Sequence, residues 1–236
     1  MLALLSANPA AADVTARYSM PSIGGSGLTV QVNSRGDSRI SMGNQTAVIT
    51  VGGVSYVLMA DLLGSFAVKQ EDLTAVMEQI VREMAGDPPA TVSDQLDPND
   101  PFTPVRAGTA TVAGRTGILW TIQARFDDAR LGEGPYDFLT SPDPDLAPVG
   151  QALARQFAVS TGGPSVSSGP LGVMGSLPRG LHSIIQQGTI IRMGRMLRLQ
   201  SVETTPVPDS TFALPNPILT REQFIARTGL SAPQSQ

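Results

Sequence analysis

The chain has 236 residues, 41% hydrophobic and 15% charged, with a formal net charge of −4 and no cysteine. That is apolar material for one or two soluble domains, and it excludes disulfides, thiolate metal sites and thiol nucleophiles. A single histidine, His182, excludes multi-histidine metal sites and leaves little for a catalytic triad, while the acidic balance disfavours nonspecific nucleic-acid binding.

In chain order, "LALLSANPAAADV" opens with a short apolar run, a helix-breaking Asn8-Pro9, and Ala10 and Ala12 in an A-x-A arrangement before Asp13. This resembles the end of a secretory signal peptide without its basic n-region. Residues 1–12 are therefore expected to be a signal-peptide remnant, and the protein to be periplasmic or secreted. Val14, Ala16, Tyr18 and Met20 alternate with polar residues, as do Leu28, Val30 and Val32, which predicts half-buried strands. Arg39 to Met42 reads as a third strand, and "TAVITVGGVSYVLMAD" as two strands joined by a Gly52-Gly53 hairpin turn. Over 71–85 the period changes. Leu73, Val76, Met77, Ile80, Val81 and Met84 share one face of an amphipathic helix, with Glu71 and Asp72 in its first turn, where the helix dipole favours acids.

Residues 87–102 are rich in proline and aspartate and read as an acidic surface loop. Asp94, Asp97, Asn99 and Asp100 lack the spacing of a calcium loop. Strands resume around an Ala113-Gly114-Arg115 turn, with Ile118, Trp120 and Ile122 on one face, followed by "YDFLT". Residues 145–158 form the second predicted helix, with Leu146, Val149, Leu153 and Phe157 on one side. Asp143 and Asp145 flank Pro144 at its start, which suits N-capping better than acid–base work. Residues 160–180, rich in Gly, Ser and Pro, read as a flexible loop. A last hairpin is predicted over "LHSIIQQGTIIRMGRMLRLQSVETT", placing His182 in a strand, and residues 220–236 read as a C-terminal tail. No phosphate loop, dinucleotide loop or nucleophile elbow occurs. No cofactor, catalytic residue or metal site is expected, and no apolar tract is long enough to span a membrane.

The elements total eight to ten strands and two main helices. The fold class expected is α+β: over residues 13–219, a curved antiparallel sheet, an incomplete β-barrel, with two helices packed on its concave face. Between Leu146 and Val202 there is no acid, only arginines, of which Arg192, Arg195 and Arg198 nominate a partner-binding face.

Four phrases carry a family likeness: "DVTARYSM", "VAGRTG" leading into the Trp120 strand, "LTSPDPDLAPVGQAL", and "LRLQSVETTPVPDSTFALP". Across 13–219 the chain resembles the bacterial domain-of-unknown-function family 4412, whose members resemble the outer-membrane lipoprotein carrier fold of LolA and LolB. The resemblance implies a half-barrel whose helix-covered face accepts acyl chains. Val76, Met77, Ile80, Met84, Trp120, Phe138, Leu146, Val149 and Leu153 would then line it. It implies no transferable arginine, and the absence of cysteine excludes a lipidated LolB-type receptor. The leading expectation is a non-enzymatic protein binding a lipid or lipidated ligand. The alternative is an envelope interaction module with a filled core, a basic face and a protein partner. A hydrolase using the aspartates is the weakest reading.

Overall fold

Short alternating segments separated by turn residues generate a sheet, which holds more of the described chain than the helices do. The computed structural model describes residues 13–21, 27–43, 46–85, 103–122, 136–161 and 181–229. The signal-like terminus, the acidic loop with its calcium candidates, the Gly/Ser/Pro loop beyond 161 and the last residues of the tail lie outside the described residues. So do the side chains of Met84 and His182.

Six strands come first: β1 (Val14–Ser19), β2 (Gly27–Val32), β3 (Ser38–Met42), β4 (Thr46–Val51), β5 (Val54–Asp61) and β6 (Gly64–Lys69). Helix α1 (Gln70–Ala85) follows, then β7 (Val105–Val112), β8 (Arg115–Ile122) and β9 (Tyr136–Ser141). A 3-10 turn, Pro144–Leu146, leads into α2 (Ala147–Thr161). The chain then forms α3 (Leu181–Ile185), β10 (Thr189–Met193), β11 (Leu197–Glu203), β12 (Ile218–Leu219) and α4 (Arg221–Thr228). The Gly52-Gly53 turn has φ of +57° and +83°, the left-handed pair that matches the twist of a two-residue hairpin and that glycine adopts without penalty.

All twelve strands belong to one open sheet, ordered β12-β6-β5-β4-β3-β2-β1-β11-β10-β9-β8-β7. Every ladder is antiparallel except β12 on β6. Two meanders therefore meet at β1–β11: the first runs outward to β6, the second begins at the far edge with β7 and runs inward. The register sets the faces. Ala16, Val30, Ile40, Val48, Val57 and Val68 are successive cross-strand partners, so they form one apolar row on one side of the sheet. Helix α2 packs on β1, β2 and β10, and α1 on β5, β6 and α4; both bury their stripes against this same row. At Gly150, α2 comes so close to β10 that a Cβ would lie 2.4 Å from the Thr189 hydroxyl.

The opposite face is crossed by the segment after β11. Val207 and Phe212 pack on Ile49 there, and the chain then adds β12 at the sheet edge and returns to the helix side. Phe224 of α4 is buried against Phe66, ring centroids 6.4 Å apart. Phe224 thus anchors α4, at the start of the expected C-terminal tail, to the sheet.

Three expectations are corrected. The described strands number twelve: β6 follows the apolar Leu62-Leu63 turn, and β12 has only two residues, too few to show a period. Residues 181–185 are helical rather than part of the last hairpin, whose strands are β10 and β11 alone. The second helix begins with a 3-10 turn at Pro144 and becomes α-helical at Ala147.

Candidate functional site

The corner between β9 and α2 gathers most of the polar chemistry singled out in the sequence. Proline at the first turn position fixes φ where no intrahelical donor is needed. Asp143 precedes it, and its carboxylate accepts the Asp145 N–H at 3.0 Å. Arg115, placed by the tight β7–β8 hairpin, donates to the Asp143 carboxylate and, at 3.3 Å, to that of Asp145. The Ser141 hydroxyl donates to the Thr116 carbonyl, and the Thr189 hydroxyl to the Leu146 carbonyl. Burial pushes the Asp143 carboxyl up, but the Arg115 bond and the Asp145 N–H outweigh it and leave the group below the usual carboxylate range. Asp143 is therefore the cap. Asp145 is not: it supplies the capped N–H, and its carboxylate is an ion-pair partner. One guanidinium bonds both carboxylates and Asp143 also caps the turn, which suits a structural lock rather than proton transfer. Among the described residues no three metal-capable side chains cluster.

The apolar residues nominated as lining separate into two groups. Phe138, Leu146, Val149 and Leu153 are buried in the cluster under α2, where half-buried Trp120 packs and donates its indole N–H to Thr140 at 3.0 Å. Val76 is buried, and Met77 and Ile80 half-buried, in a second cluster formed by α1, α4 and β4–β6. A feature invisible to periodicity bridges the helices. Gln70 at the start of α1 and Gln156 in α2 exchange two amide hydrogen bonds, 3.1 and 3.2 Å, with both residues buried.

The arginine face is also resolved. Arg192 and Arg198 are direct cross-strand partners at the β10–β11 turn, and Arg195 sits within that turn. Arg192 is paired with Asp137 at 3.5 Å. Arg195 and Arg198 are exposed. Close by in the adjoining strand, Arg17 pairs with Glu203.

One surface feature was missed altogether. The β5–β6 hairpin turns on Leu62 and Leu63, fully exposed and 81% exposed respectively. Its signal was present as two leucines following Asp61 and preceding a glycine, but an apolar turn reads as continued strand. Behind the leucines, Arg227 of α4 grips Asp61 with two bonds of 2.7 Å and lies 4.3 Å over the Phe66 ring. A scan against protein-family models finds no match, and no curated protein matches the chain.

Proposed function

We propose that this chain is an exported, non-enzymatic interaction module with a filled interior, acting through its outer surface. The observation that carries this reading is the burial of Phe138, Leu146, Val149 and Leu153, none more than 2% exposed. Side chains without free surface offer a ligand nothing to touch, and a close-packed interior admits an acyl chain only by moving apart. We read the sheet as an incomplete barrel with α1 and α2 on its concave side. The return of β7 to within 8 Å of β11, Cα to Cα, across three intervening strands supports that curl. Export is supported by the A-x-A pattern ahead of Asp13. The engagement of both aspartates by Arg115 supports the non-enzymatic reading.

A second reading, a lipid-like ligand, is favoured by one observation: Met59, Met77 and Ile80 are half-buried beside the α1 cluster, and methionines make an adaptable apolar wall. Titration with a fluorescent fatty acid, with native mass spectrometry of the periplasmic protein, separates the two. The filled-interior reading expects no saturable one-to-one binding and no co-purifying lipid. Saturable binding weakened by Met77→Asp overturns it in favour of the second.

A further inference from the structure

The chain has nine methionines and no cysteine, so thioethers are its only oxidisable sulfurs. A thioether takes oxygen only where an oxidant reaches the sulfur, and burial therefore sorts the methionines. Met20, Met193 and Met196 are buried in the cluster under α2, none more than 5% exposed. Met42, Met59 and Met77 are half-buried. Met42 stands at the end of β3, against the same α2 cluster. Met59 and Met77 instead meet on the other cluster, Met59 from the sheet and Met77 from α1.

The ladder fixes this convergence. Met59 lies directly across from Phe66 and two residues from Val57, so all three face the side of the sheet that α1 covers. Helix α1 meets them with Leu73 and Val76, which are buried, then with Met77 and Ile80, which are half-buried. The seat of the helix thus thins from its first turns towards its last. At its start Gln70 is fastened to Gln156 of α2, and further along Gln79 accepts a bond from Arg221 of α4 at 2.9 Å. Methionine fills such a seam well because its side chain is flexible and apolar. Its sulfoxide does not: the group becomes polar and chiral, with an oxygen that needs a donor. The neighbouring Val57, Phe66 and Val76 side chains offer none.

From two reachable thioethers converging on one apolar cluster at the seat of α1, we infer that Met59 and Met77 are an oxidation site for hydrogen peroxide, and that their conversion to sulfoxides loosens α1 from β5 and β6. The sulfur lone pair attacks one peroxide oxygen. An S–O bond forms, the O–O bond breaks, and the proton on the transferred oxygen passes to the departing one, which leaves as water. Sulfur loses two electrons and the peroxide gains them. A methionine sulfoxide reductase reverses the step. Loosening uncovers Val57 and Val76, an apolar surface that the reduced protein keeps buried. The site is the same whether the interior is filled or takes a ligand.

Treatment of the full chain with hydrogen peroxide, followed over time by peptide mass spectrometry and amide hydrogen exchange, tests both parts. Met59 and Met77 should gain oxygen about tenfold faster than Met20, Met193 and Met196. Amide exchange over α1 should rise by about tenfold or more in step with them. Incubation with methionine sulfoxide reductases and a thiol reductant should reverse both changes. The Met59→Leu/Met77→Leu variant keeps the volume of the seam. Its α1 exchange should stay at the untreated level while Met42 still oxidises. Equal oxidation of buried and half-buried methionines overturns the site. Unchanged α1 exchange in the oxidised wild type, or an equal rise in the double leucine variant, overturns the loosening. The order of oxidation and the exchange are both read on the wild type, so a poorly folding variant leaves the test intact.

Discussion

Gln70 and Gln156 are the residues where the two helices are tied together. Each amide offers both donor and acceptor, and the reciprocal pair satisfies one of each on both sides where water has little access. Truncating one leaves the other's polar atoms buried without that partner, which costs ~1–3 kcal/mol. Gln70→Ala and Gln156→Ala should each lower the unfolding free energy by that amount in urea titrations. Gln156→Ala should cost more, because Gln156 has a further interaction. The Gln70→Leu/Gln156→Leu double variant should cost less than the two single leucine variants together, with a coupling above ~0.5 kcal/mol. Strict additivity would mean that the amides do not act as a pair. The pair joins residues 86 positions apart, so no local pattern reveals it. Asp143 was legible because a cap is a matter of three or four neighbouring residues.

At the scale of elements, α4 is latched to the β5–β6 hairpin by Arg227. Its bonds hold the Asp61 carboxyl down to about 2, against an ordinary ~3.9 in an unfolded chain. A folded-state value below the unfolded one contributes stability that is complete above the unfolded value and is lost as pH falls through the folded one. The melting temperature of the wild type should therefore exceed that of Asp61→Asn by its full margin at pH 6, and the margin should shrink as pH falls from about 4 towards 2. A margin unchanged down to the lower limit would remove Asp61 as the titrating half of the latch. This hairpin also shows where sequence reading stops. Strands β1 to β5 were legible because residues such as Val14, Ala16 and Tyr18 alternate cleanly and Gly52-Gly53 is a strong turn signal. Strand β6 was not, because Leu62-Leu63 is apolar where solvated turns are polar. In α3, "LHSII" has strand-like composition, yet Gly188 follows at φ +148° and sets β10 only from Thr189. Five residues, three of them apolar, do not distinguish the two states by period. The nominated lining was legible as apolar, but its division between two clusters depends on strand order, which the sequence pattern does not encode.

Over the whole molecule, one continuous ladder joins both clusters, and the strap from β11 to α4 touches both faces of the sheet. Val207 and Phe212 hold it on one side, β12 extends the edge, and Phe224 closes it on the other. Such an arrangement couples distant parts because no strand boundary separates them. Trp120, the single tryptophan, is a reporter at the far end, in the strand next to the β7 edge, while Phe224 sits by the β12 edge. Phe224→Ala removes a fully buried ring and should cost ~3–5 kcal/mol. If the sheet unfolds as one unit, that loss lowers the urea midpoint read by Trp120 fluorescence as much as the midpoint read by far-ultraviolet circular dichroism, although ring and reporter share no contact. Independent halves would instead leave the Trp120 midpoint where it is in the wild type, with an early dichroism change from the α4 side alone. Coincident, equally displaced midpoints are expected, since the apolar row from Ala16 to Val68 runs unbroken between the two clusters and the Gln70–Gln156 bridge ties the helices that cover it.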